Sequence, residues 1–173
     1  MLAANGIVAR MVSRRLSKLE GHRRKFMAVV DQTPECSRAV LYAGYRARNS
    51  GGGVVLMYVI SGEDFQQWLG VGDLMREEAQ QEAEAALART AQFIREKIGI
   101  EPELVIREGK AVEQIHALIE EDRDISILVL ASGSTKDGPG PLVSALSGRA
   151  AAFPIPVTVI PDALTDDEIE AVS

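Results

Sequence analysis

Three apolar runs limit what this chain can become: KFMAVVD from Lys25 to Asp31, VVLMYVI from Val54 to Ile60, and ISILVLA from Ile125 to Ala131. A strand without polar alternation must be covered on both faces, which is the situation of a parallel sheet flanked by helices. The segments between the runs read as those helices. Thr33, Pro34 and Glu35 supply an N-cap, a proline at the first helical position and an early acid, so a helix is expected from about Pro34 to Asn49, with Ala39, Val40, Tyr42, Ala43 and Ala47 on its apolar face.

Residues 62–72 read as irregular or short-helical, with Trp68 folded onto the core. Asp73 then caps a long helix to about Ile98, where Met75, Ala79, Ala83, Leu87, Ala91, Ile94 and Ile98 form one stripe and Gly99 ends it. A short third strand, Leu104 to Ile106, turns through Arg107-Glu108-Gly109-Lys110 into a helix that faces inward with Val112, Ile115, Leu118 and Ile119. After the fourth strand come a small-residue loop (SGSTKDGPG), a helix from about Pro141 and a last strand, Val157 to Ile160, stopped by Pro161. Thr165 and Glu168 are spaced as a capping box for a short acidic terminal helix. The alternation predicts one α/β domain: a doubly wound, five-stranded parallel sheet with helices on both faces.

The 173 residues and 46% hydrophobic content fit one folded domain over 25–161, preceded by a basic extension (1–24) and followed by an acidic tail (162–173). Residues 1–25 carry seven of the 19 Lys and Arg but only one of the 25 acids, which leaves 12 bases against 24 acids in the rest. An acidic body argues against nucleic acid as a partner. Ile7, Val8, Met11, Val12, Leu16 and Leu19 recur at helical spacing in the basic segment, giving either a membrane-surface or partner-docking helix or a solvated extension lying against the body. One cysteine and two distant histidines, His22 and His116, offer neither an intrachain disulfide nor a metal cluster, which fits the cytoplasm. No apolar run reaches the roughly 18 residues of a membrane span.

Doubly wound sheets bind ligands outside the carboxyl ends of their strands, where the strand order reverses. Two such ends are chemically equipped. Asp31 ends the first strand and can accept from a ribose hydroxyl or an exocyclic amine, or else cap its own turn. The loop from Ser132 to Gly140 can donate backbone N–H groups to phosphate, with Ser132, Ser134, Thr135 and Lys136 beside it. Were Thr33 the N-cap, Cys36 would stand at N3, where the helix dipole lowers a thiol pKa and suits a redox sensor; otherwise it is a small buried hydrophobe. No Walker loop, dinucleotide fingerprint, Gly-x-Ser-x-Gly or placed carboxylate pair is present, so no catalytic residue and no metal site are expected.

Val29-Val30-Asp31, Val54 to Ile60, Glu108-Gly109-Lys110, Leu128-Val129-Leu130 and Phe153-Pro154-Ile155-Pro156-Val157 occur in an order and spacing that resemble the universal stress protein family from about Lys25 to Pro161. The resemblance implies sheet order 3-2-1-4-5, a cytoplasmic stress-response role, and a homodimer through the last strand, Val157 to Ile160. It also implies a nucleotide-type cleft at Val30, Asp31, Val59, Ala131, Gly133, Ser134, Lys136 and Ser144, with ATP or another adenine nucleotide as the possible ligand and no cofactor required. The family's ATP-binding members carry G-x2-G-x9-G-[S/T] after the fourth strand. Here Ser144 and Gly133 match, Val143 stands where the third glycine belongs, and Ala131 takes the place of the first once one residue is deleted. A second register on Gly138 and Gly148 puts Arg149 at the hydroxyl position. The expectation is a stress-response module that binds ATP weakly or not at all. The alternatives are a nucleotide-dependent switch and a dimeric interaction protein without a ligand.

Overall fold

The computed structural model describes residues 14–61, 72–134, 138–148 and 153–173. Ten elements alternate along it: β1 (Lys25–Val29), α1 (Cys36–Ser50), β2 (Gly53–Ile60), α2 (Gly72–Ile98), β3 (Glu103–Glu108), α3 (Ala111–Glu121), β4 (Ile125–Ser132), α4 (Pro141–Ser147), β5 (Val157–Pro161) and α5 (Asp166–Val172). All strand pairs are parallel, in the order β3-β2-β1-β4-β5. The sheet order and class are those expected. The loop carrying Trp68, the helical spacing of residues 7–12, and Lys136 lie outside the described residues.

Alternation within the apolar runs sorts their side chains between two layers. Phe26, Ala28, Val54, Leu56 and Val129 pack with α1, α2 and α5, whereas Met27, Val29, Val55, Met57, Leu128 and Leu130 pack with α3 and α4. The β1–β4 register slips between Lys25 and Phe26, which are paired with Ile125 and Ile127. That slip lets Ile125 join the α3 layer while Ile127 serves the other. Gly44 marks the closest approach of α1 and α2: a Cβ there would stand 2.4 Å from Ile98 Cδ1. At the amino edge of the sheet, Lys25 Nζ bonds both Glu103 and Asp122 at 2.8 Å.

Several boundaries differ from expectation, each for a local reason. Helix α1 starts at Cys36 because Thr33 turns back onto Asp31, and Glu35 takes the N-cap position without a side-chain cap. Strand β3 is longer than Leu104 to Ile106, since its charged ends Glu103, Arg107 and Glu108 still pair with β2. Pro161 forms the end of β5, paired with Ser132, rather than lying beyond it. Residues 14–22 are turns and not helix: the Leu16 N–H goes to Arg123 O at 3.0 Å, and the Arg123 guanidinium returns two bonds to Arg14 O. This part of the basic segment is pinned to the body. The acidic terminal segment is docked as well, with Ile169 fully buried and Thr165 and Glu168 closing the capping box.

Candidate functional site

Strands β1 and β2 deliver Val30, Asp31, Tyr58 and Val59 to the carboxyl edge of the sheet, where the chain leaves for α1 and α2. A cleft of about 980 Å³ opens there. Its floor is Val29, Val30, Tyr58 and Val59; its far walls are the entry to α3 (Gly109, Lys110, Val112) and the first turns of α4 (Pro141, Leu142). The mainly apolar wall with a few polar groups is the usual make-up of a small-molecule site. A second hollow of about 400 Å³ continues past Gln32, Tyr58 and Val59 toward Met75 and Ala79 of α2. Gln32 spans the boundary and donates to Glu82.

Among the described residues, Asp31 is one of three charged residues that line the cleft, with Lys110 and Glu113 on the α3 side. Its Oδ1 accepts from the N–H and the hydroxyl of Thr33 at 2.9 and 2.6 Å, the local capping bond foreseen as the alternative role. The two roles are compatible, because Oδ2 has no hydrogen-bond partner among the described residues and the side chain is half-exposed. An ionised carboxylate accepts at both oxygens, so one can orient the side chain while the other takes a ligand hydroxyl or amine.

The space between Asp31 and the β4–α4 loop is nearly closed. About 20 Å³ is left there among Val29, Thr33, Glu35, Cys36, Ala131, Gly140 and Val143, room for about one water. Glu35 fills the rest: a Cβ built on Gly133 would lie 2.9 Å from its Oε1, and one on Gly140 would lie 3.7 Å away. Ser134, farther along, gives both its N–H (2.9 Å) and its hydroxyl (2.6 Å) to Asp162 Oδ2. Those bonds, the hydroxyl's first, hold the Asp162 carboxyl below its ordinary pKa.

Of the residues foreseen from the sequence, Val30, Asp31 and Val59 line the open cleft, and Ala131 lines the small closed pocket. Gly133 and Ser134 are already engaged by Glu35 and Asp162. Ser144, in the first turns of α4, is exposed and lines neither space. Sequence reasoning passed over Tyr58, Leu142, Glu35 and Asp162. Tyr58 stands one residue before Val59 at the same strand end, which was signal enough. Glu35 and Asp162 are brought to the loop only by the tertiary fold.

Cys36 opens α1 rather than standing at its third position; it is still in the first turn, but burial outweighs any help from the helix dipole. Burial pushes its pKa up, to about 11, and its Sγ lies 3.6 Å from Val29 O. Among the described residues no group of three or more His, Cys, Asp or Glu could hold a metal ion, and no helix is long and apolar enough to cross a membrane.

The Universal stress protein family model matches residues 22–161. No curated protein matches the chain in sequence. Solved structures do match in fold. Universal stress protein UspA from Lactobacillus plantarum is 17% identical, with a TM-score of 0.66 over 79% of this chain and 97% of that one. The universal stress protein from Archaeoglobus fulgidus in complex with dAMP is 21% identical, with a TM-score of 0.55 over 79% and 97%. A universal stress protein family protein from Arabidopsis thaliana with AMP bound is 19% identical, with a TM-score of 0.56 over 80% and 91%.

Proposed function

The chain belongs to the universal stress protein family, whose model spans residues 22–161, and on that premise we propose that it is a non-catalytic stress-response module whose carboxyl-edge cleft takes an adenine nucleotide, with ATP bound weakly or not at all. The observation that carries this reading is the placement of Asp31 at the mouth of a cleft of about 980 Å³ with one carboxylate oxygen that has no hydrogen-bond partner among the described residues. Val30, Val59 and Leu142 supply apolar surface for a base, and Asp31 supplies an acceptor for a ribose hydroxyl or an exocyclic amine. The dAMP and AMP complexes among the similar folds support the same ligand class.

Weak ATP binding follows from the loop. Glycines let backbone N–H groups approach a phosphate without a Cβ in the way, and Ala131 and Val143 occupy two such positions. Micromolar affinity corresponds to about −8.2 kcal/mol, and each charge-assisted bond contributes about 1.5–3. Losing two therefore moves ATP toward millimolar. The non-catalytic reading is supported by the thiol: burial pushes the pKa of Cys36, the only cysteine, up to about 11, which keeps it protonated. The proposal extends to a cytoplasmic homodimer joined along β5, a reading supported by the position of that strand at the outer edge of the sheet beside β4.

Mass analysis of full-length protein purified from cells tests this directly. Adenine nucleotide released on denaturation, with ATP in no more than trace amount and no phosphate liberated from added ATP, is the expected result. Stoichiometric bound ATP, or its turnover, would contradict it.

A further inference from the structure

Two carboxylates stand on the phosphate side of the cleft, and nothing in the nucleotide reading so far uses them. Glu35 lies against Gly133 and near Gly140, the glycines that open and close the β4–α4 loop; its backbone carbonyl accepts from the Arg38 N–H at 2.8 Å, while its carboxylate has neither a hydrogen bond nor an ion pair among the described residues. Asp162 follows β5 and takes both donors of Ser134, so a carboxylate of the chain itself occupies the N–H and hydroxyl that a phosphate oxygen would need. Its own N–H is tied to Ser132 O at 3.1 Å, which fixes it against the loop. A ligand in the open cleft touches Asp31 and Pro141, and both also border the small pocket that contains Glu35. A phosphate reaching from the cleft toward Gly133 would meet the Glu35 carboxylate, and one taking the Ser134 donors would compete with Asp162 for them.

We propose that Glu35 and Asp162 set the specificity of this cleft, selecting an adenine nucleoside over its phosphorylated forms in the order adenosine, AMP, ATP. The inference rests on reading the cleft as an adenine site and goes beyond it by naming the ligand class and the residues that choose it. Like charges brought close together repel, more at the part-buried Glu35 than at the solvent-exposed contact of Asp162 with Ser134, where water and salt screen the effect, and the repulsion grows with each phosphate added. A neutral nucleoside meets none of it. Loss of loop glycines alone would instead weaken all phosphate contacts without any attraction being restored by removing a carboxylate.

Calorimetric titration of the full chain with adenosine, AMP and magnesium-free ATP, at one ionic strength, tests the proposal in the wild type and in Glu35→Gln and Asp162→Asn. These substitutions keep side-chain size and remove charge. The expected result is tighter binding of adenosine than of ATP in the wild type. Each substitution should raise ATP affinity about tenfold and leave adenosine within twofold. Adenosine binding with ATP affinity unchanged in both variants would overturn the inference and leave the adenine site standing. Binding of none of the three ligands by the wild type would overturn the adenine site itself and the inference with it. Tight wild-type ATP binding once magnesium is added, lost in the variants, would also overturn it, since the carboxylates would then be holding the metal.

Discussion

Asp31 Oδ1 accepts two hydrogen bonds from Thr33, one from its N–H at 2.9 Å and one from its hydroxyl at 2.6 Å. This turn decides where α1 begins. With Thr33 committed to Asp31, Glu35 becomes the N-cap and Cys36 the first helical residue, so the Glu35 carboxylate reaches across to Gly133. One local turn thus sets which oxygen of Asp31 is taken up by Thr33, the position of Glu35 and the environment of the thiol.

The terminal helix is part of the folded body. Ile169 is fully buried beside α1, and Arg38 and Arg48 reach Asp166 and Glu170 at 2.7 and 2.8 Å. Ile169→Ala is predicted to lower unfolding free energy by about 2–5 kcal/mol in a urea titration, the usual cost of emptying a buried aliphatic site. A loss under about 0.5 kcal/mol, the range of ordinary surface substitutions, would mean that residues 162–173 are an independent tail.

Acid should release that helix before the rest. A hydrogen bond from Lys97 first, and one from Arg38 as well, hold the Asp166 carboxyl below its ordinary pKa of 3.8 against the opposing effect of burial; the N–H of Thr165 does the same for Glu168. A carboxyl depressed in the folded state stabilises fully above its unfolded pKa, and that contribution is lost as pH falls through the folded value. Protection of the α5 amides, relative to their intrinsic exchange at each pH, is therefore predicted to fall below about pH 4, ahead of protection in β1 and β2. Equal protection of α5 and the central strands down to pH 3 would contradict this.

Cys36 should be inert in the native protein. With its thiol pushed up to about 11, the thiolate fraction at pH 8 is about a thousandth. Reaction with a disulfide reagent is predicted to be slow at pH 8 and to become fast only in denaturant. Stoichiometric labelling of the folded protein within seconds would restore the redox-sensor reading.

Strand β5 carries the half-exposed Val159 on the outer edge of the sheet, and an unpaired apolar edge favours association. Light scattering at tens of micromolar should report a dimer, and Val159→Lys should shift it toward monomer. A monomeric wild type at that concentration would sink the assignment.

The sheet was legible because its central strands carry their own signature: an apolar run such as Met27-Ala28-Val29 has no other stable place than between two layers. The edges were less so. The charged ends of β3 resemble loop until pairing with β2 is known, and residues 162–173 offer only Leu164, Ile169 and Val172 as large apolar side chains among five acids. The cleft followed the same division. Asp31 and Val59 sit at strand ends and could be named from topology, while Glu35 and Asp162 lie about a hundred residues or more in sequence from, or across a strand from, the loop glycine and serine they meet. Cys36 was misplaced by two positions because Thr33 had two partners open to it, the helix N–H groups and Asp31, and the shorter turn prevailed.

The central claim is an adenine cleft anchored by Asp31 in which ATP is a poor ligand, and calorimetric titration of AMP and ATP into the wild type and Asp31→Ala tests it most directly. AMP is predicted to bind the wild type more tightly than ATP, with ATP weaker than about ten micromolar, and Asp31→Ala to weaken AMP by about tenfold or more. ATP binding tighter than about ten micromolar, or AMP binding that Asp31→Ala leaves unchanged, would contradict the account.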